Sequence, residues 1–150
     1  MGKSGEKMFI GQYEHTVDQK GRVAIPVKFR KDLEKGSIIT KGLDGCLFIF
    51  PKDRWRTLAE SVGKLPVNKS AGRVYARMLL SNAIEVEFDN QGRALIPSFL
   101  REYAKITFKV VFAGVYDRVE IWSNKSWQEM TKNSDKDAGT IVEQLTEVAD

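Results

Sequence analysis

The sequence predicts a mainly β fold with short helices, of the α+β class, built from two similar units with a helical connector between them. Three observations predict it. A thirteen-residue frame is written twice. The runs flanking each copy are short, β-rich and punctuated by Gly and Pro. Apolar residues at helical spacing occur in brief segments after prolines and between the two copies.

The frame is D-x-x-G-R-x-x-I-P-x-x-x-R, found at residues 18–30 (DQKGRVAIPVKFR) and 89–101 (DNQGRALIPSFLR). Six of its thirteen positions are identical, where chance pairing at average usage gives roughly one, so the frame is an internal repeat. The echo continues downstream. Gly42, Ile49 and Trp55 answer to Gly114, Ile121 and Trp127 after a one-residue insertion near Ile106. Within the frame, Gly21 and Gly92 suit the positive φ of a tight reversal. Asp18 and Asp89 can accept hydrogen bonds from the turn's own amides. Pro26 and Pro97 end a strand and suit the start of a short helix. Phe29 and Leu33 are expected on the inner side of the first such helix, and Phe99 and Tyr103 on that of the second.

In chain order, residues 12–17 alternate as a strand with Tyr13, His15 and Val17 on one face. The frame follows, with a strand at 23–25 and a helix to Leu33. Strands at 37–41 and 46–50 form a hairpin across Gly42-Leu43-Asp44-Gly45. Pro51 opens a helix carrying Trp55, Leu58 and Val62, closed by Leu65-Pro66. A second connector helix spans 69–80, with Val74, Met78 and Leu79 inward. The second unit repeats the order, with strands at 83–88, 107–113 and 118–122. Ser123 is positioned to cap a last helix through Trp127 and Met130. The expected division is 8–55 for the first repeat, 56–82 for the connector, 83–130 for the second repeat and 131–150 for a loose acidic tail. Residues 141–148 are expected to form one short helix in that tail.

With 150 residues, 42% hydrophobic and 29% charged, the chain can bury a core of its own. Its longest apolar runs, 46–50 and 110–113, are too short to span a membrane. MGKSGEK lacks the apolar stretch of a secretory signal. The one cysteine, Cys46, excludes an internal disulfide, is expected to be buried, and points to the cytosol. The net charge of +4 is unevenly spread: residues 1–127 carry +8 and the last 23 carry −4. A basic body suits a polyanion partner.

Catalysis finds little support. Asp18 and Asp89 could form a proton-sharing dyad, but each is followed by Gly and Arg, which keeps a carboxylate ionised, and neither copy reads D-[ST]-G. One His and one Cys cannot build a structural zinc site. No G-x-S-x-G, P-loop or G-x-G-x-x-G is present. No cofactor, metal or small-molecule substrate is therefore expected. Nucleic acid fits better. Lys20, Arg22, Lys28, Arg30 and Lys31 surround the first copy, and Arg93, Arg101 and Lys105 the second. Arg22 and Arg93 follow their glycines at the turn, where a guanidinium can grip phosphate or fork onto guanine. Equally, each can pair with its own aspartate and lock the turn, and the two roles are compatible. Arg30 and Arg101 read as structural.

At these residues the chain resembles the AbrB-type (SpoVT-AbrB) swapped-hairpin DNA-binding domains. Two such frames in order, with MFIGQYEHTVDQKGRVAIPVKFR, KGLDGCLFIFP and REYAKI, resemble a two-repeat bacterial member of that family over about residues 8–130. The resemblance implies that the repeats pair into a β-barrel-like domain and that copies assemble into ring-shaped homo-oligomers. It further implies a nucleoid-associated transcriptional regulator that binds double-stranded DNA at short repeats ahead of the division and cell-wall gene cluster. The family's contact motif D-x-x-x-R falls on Asp18, Arg22, Asp89 and Arg93, with Lys20 and Lys28 beside the first copy. Gln91 replaces Lys20 in the second copy, so the turns need not contribute equally. A β-barrel protein-interaction module, or an antitoxin-like partner binder without DNA recognition, is the competing expectation.

Overall fold

The computed structural model describes the backbone of residues 8–149 and the side chains of 8–146. The MGKSGEK segment and the side chain of Val148 lie outside these described residues. The first repeat contributes β1 (Gln12–Thr16), β2 (Arg22–Ala24), α1 (Val27–Glu34), β3 (Ser37–Lys41) and β4 (Leu47–Pro51). Two helices connect it onward, α2 (Lys52–Gly63) and α3 (Ser70–Ser81). The second repeat contributes β5 (Ile84–Glu85), β6 (Arg93–Leu95), α4 (Ser98–Tyr103), β7 (Lys109–Val115), β8 (Arg118–Ser123) and α5 (Asn124–Ala149).

The strands form an antiparallel six-stranded sheet, β1-β7-β8-β4-β3-β5, and a two-stranded ribbon, β2-β6. Four of these pairings, β1–β7, β2–β6, β3–β5 and β4–β8, join one repeat to the other. Exchanging the repeats maps the pairing scheme onto itself, so the domain has an internal two-fold. Single bridges, Val17↔Val23 and Phe88↔Ala94, tie the ribbon to the chain leaving β1 and β5. Hydrogen bonding thus passes round from one edge of the sheet through the ribbon to the other, which gives the barrel-like form. Closure rests on single bridges because the D-x-x-G-R turns reverse the chain at those points.

One core lies between sheet and ribbon. Ile25, Phe29, Leu33, Ile96, Leu100, Phe112 and Ile121 are all buried in it. A second cluster covers the other face of β4 and β8, with Phe48, Phe50, Val62, Leu79 and Trp122 packed beside Trp55, Tyr75, Trp127 and Met130. Every residue of β4 is buried, because Leu47 and Ile49 face the first core and Phe48 and Phe50 the second. Cys46 is buried as expected, and desolvation, with the Glu120 carboxylate adding to it, pushes its thiol far up from its ordinary value.

Three expectations are corrected. In α4 the inward residue is Leu100, while Phe99 is 42% exposed. Leu100 stands opposite Phe29 in the repeat, so the frame's own alignment sets the inner face and the larger apolar side chain beside it does not. In α3, Leu79 is buried and Tyr75 and Ala76 pack with it, whereas Val74 faces solvent. The segment 131–149 is not loose with a separate short helix. It continues α5 without a break, from a start where the Ser126 amide donates to Ser123 Oγ at 3.1 Å as the capping pattern anticipated.

Candidate nucleic-acid interface

Each D-x-x-G-R segment closes into the same hydrogen-bonded turn. The Asp18 amide donates to the Arg22 carbonyl at 2.9 Å, and the Gly21 amide to the Asp18 carbonyl at 3.0 Å. Asp18 Oδ1 accepts from the amides of Lys20 and Arg22, both at 2.9 Å. Its Oδ2 accepts from Arg22 Nε at 2.8 Å. Asp89 does the same with Gln91 and Arg93, at 2.9, 2.9 and 2.8 Å. Gly21 and Gly92 take φ of 88° and 77°, where a side chain would be strained. Gly21 is also pressed from outside, since an added Cβ would lie 1.6 Å from Arg101 Nη1.

These contacts explain the chemistry of the aspartates. The Arg22 amide, foremost, holds the Asp18 carboxyl below its ordinary value against a partly opposing desolvation. The Arg93 amide does likewise for Asp89. Both are ionised anchors of their turns, which is the opposite of what a proton-sharing pair requires. Arg30 and Arg101 are structural. Arg30 Nη2 donates to the Ile25 carbonyl at 2.8 Å and Arg101 Nη1 to the Ile96 carbonyl at 3.1 Å, each tying a helix to the strand before it.

The ribbon brings the two turns together. Val23 lies opposite Ala94 and both are buried, so alternation turns Arg22 and Arg93 to the outer face. There Arg22 is level with Leu95 and Arg93 with Ala24, a diagonal arrangement. Arg93 Nη1 lies 3.6 Å from Asp18 Oδ2, linking one repeat's turn to the other's. The side chains of Arg22 and Arg93 keep 32% and 30% of their surface exposed. Since each aspartate engages Nε, the terminal nitrogens of Arg22 have no partner among the described residues. That outward edge can meet a phosphate or a base edge.

Of the expected residues, Asp18, Arg22, Asp89 and Arg93 form this one cluster, and Lys20 is exposed at the tip of the first turn. Lys28 is exposed on the first turn of α1, one element further along, with no ion pair to the cluster among the described residues. The link between Arg93 and Asp18 was not legible in the sequence, because it depends on β2 pairing with β6. Two of each charge leave the cluster itself near neutral. Positive potential comes from Lys20, Lys28 and Lys31, all exposed on the first repeat. Among the described residues no helix is long and apolar enough to cross a membrane.

Comparison with known proteins gives a consistent result. A family model described as "MraZ protein, putative antitoxin-like" matches twice, at residues 8–78 and 79–147. A protein of Caldanaerobacter subterraneus subsp. tengcongensis named Transcriptional regulator MraZ is 50% identical over 138 residues, covering 92% of this chain and 96% of that one. A Thermoanaerobacter protein of the same name is 47% identical over 141 residues, covering 94% and 99%. Another from Clostridium tetani is 45% identical over 141 residues with the same coverage. With both repeats matched and the relatives aligned almost end to end, the chain belongs to the MraZ family.

Proposed function

We propose that this chain is a DNA-binding regulator of transcription that recognises short promoter repeats ahead of the division and cell-wall gene cluster. Asp18, Lys20, Arg22, Lys28, Asp89 and Arg93 form its contact surface. The observation that carries this reading is the meeting of two similarly built, aspartate-locked turns on one outer face, each directing a guanidinium edge outward. Locking the turn in advance lowers the ordering cost of binding. Because the four-residue cluster is near neutral, the arginines supply geometry for base or phosphate recognition, and the lysines supply attraction. One chain then makes few phosphate contacts. Several copies in a ring-shaped homo-oligomer, each on a successive DNA repeat, raise the overall affinity through effective concentration. The protein works in the cytoplasm at the nucleoid, as a binding protein and not an enzyme.

The test is a gel shift of the purified protein against its own upstream region beside a scrambled duplex. Preferential retardation of the upstream region supports the reading, and equal retardation of both contradicts it. The family description also favours one other reading, an antitoxin-like partner binder. It separates by ionic strength: DNA affinity falls steeply with salt, whereas binding through an apolar groove does not.

A further inference from the structure

The internal two-fold that relates the repeats is broken where the turns meet their surroundings. Each turn lies against a helix of the other repeat, the first against α4 and the second against α1. A Cβ added at Gly21 would run into the Arg101 guanidinium and the Ile96 carbonyl. The Ile96 amide also donates to the Gly21 carbonyl at 2.8 Å. Gly21 is buried under these contacts, while Gly92 is only half-buried. A Cβ at Gly92 would meet one atom within 4 Å, Glu34 Oε1 at 3.4 Å. Among the described residues the Ile25 amide makes no matching bond to Gly92. The two turns therefore face opposite charges, a guanidinium over the first and a carboxylate over the second.

The turns' own residues carry the difference further. Lys20, Arg22 and Arg101 stand with Asp18 at the first turn. At the second, Gln91 takes the place of the lysine, and Arg93 stands with Asp89 and Glu34. Arg93 Nη1 also leans to Asp18 Oδ2 at 3.6 Å, whereas among the described residues Arg22 has no matching pair with Asp89. Positive charge is thus drawn to the first turn from both repeats, and the second is left net negative. Glu34 has no evident task in the fold. It is exposed, and its carboxylate makes no hydrogen bond or ion pair among the described residues. It also closes α1 at the end where the helix dipole disfavours a carboxylate. In the second copy its place is taken by Lys105.

We propose that Glu34 is a specificity-determining residue of the DNA surface. Its carboxylate repels phosphate from the second turn, so the duplex backbone is gripped at the first turn and Arg93 is kept for a base edge. A phosphate and a base edge both attract a guanidinium, but only the phosphate carries a full negative charge for a neighbouring carboxylate to repel. Denying one turn its sequence-independent contacts weakens binding to every duplex and raises the share of affinity that depends on sequence. This assignment rests on the DNA reading above and gives its two turns different tasks.

The test measures binding of the full chain by fluorescence anisotropy to its own upstream region and to a scrambled duplex, each across a range of salt. Two variants are compared with it. One is Glu34→Gln; the other, a control for net charge, is Glu60→Gln, exposed on α2 across the sheet from the turns. Glu34→Gln is expected to bind the scrambled duplex about three- to tenfold more tightly at low salt, with a salt slope steeper by about one. Its affinity for the upstream region should rise less, so discrimination falls, and its denaturant midpoint should match that of the unaltered chain. Glu60→Gln should change none of these. Unchanged binding of both duplexes by Glu34→Gln overturns the proposal and leaves the DNA reading standing. An equal gain for Glu60→Gln overturns it too, since net charge alone would then be at work. Weaker binding by Glu34→Gln with a lowered midpoint also overturns it, and makes Glu34 a brace of the turn. An unaltered chain that binds both duplexes alike overturns the DNA reading itself, and this assignment with it.

Discussion

The guanidinium groups of Arg22 and Arg93 are each held by Nε on the aspartate four residues back, which fixes the direction of the remaining nitrogens. On the proposed function, locking and recognition are two uses of one side chain. Arg22→Ala and Arg93→Ala should each weaken operator affinity by about 1–3 kcal/mol, measured by fluorescence anisotropy. Unfolding midpoints should barely move, because an ion pair this open to water is screened by solvent and adds little to stability. Arg22 should matter more, since Lys20 accompanies it and Gln91 takes that place beside Arg93. The aspartates give a pH prediction. Their folded pKa values lie below the ordinary 3.8, so the turns' contribution is complete above that value and is lost as pH falls through the lower, folded one. Carboxyl titration by NMR should give midpoints for both residues under 3.8, and a midpoint at or above it would mean the turns are open in solution. The residue types and spacing of both turns were legible in the sequence. Their mutual approach was not, since nothing local encodes which strands pair.

At the scale of elements, the two turns look alike but tolerate change differently. Gly21→Ala forces a Cβ into the Arg101 guanidinium and the Ile96 carbonyl as well as a left-handed backbone. Gly92→Ala meets only Glu34 Oε1, at 3.4 Å, and costs about 1–2 kcal/mol from φ alone. Denaturant melts should show Gly21→Ala to be the more destabilising of the two. In α4, Leu100→Ala should cost about 2–5 kcal/mol and Phe99→Ala much less, reversing the expectation that put Phe99 inside. Phe99 and Leu100 are adjacent, and one residue of register turns a helix by about 100°, so the expected face was off by that one step. The tail misled for a related reason. TKNSDKDAG is polar and holds a glycine, so composition argued for a loose segment, whereas helical phase continues unbroken from Trp127 to Leu145.

On the scale of the whole molecule, duplication was the strongest signal in the sequence, and the structure explains why. Each repeat leaves its β1–β4 or β5–β8 edges to be satisfied by the other, and unpaired edges buried against a core are costly. Residues 8–82 alone should therefore give no cooperatively folding monomer in a denaturant melt, while the full chain should unfold in one transition. The same interleaving carries the two D-x-x-G-R turns to one face, on which the proposed function depends. Its most direct test is the dependence of operator affinity on salt for the unaltered protein and for Arg22→Ala combined with Arg93→Ala. Affinity should fall steeply with salt for the unaltered protein, and the variant should bind more weakly with a shallower slope. A folded variant with the same affinity and the same slope would contradict it.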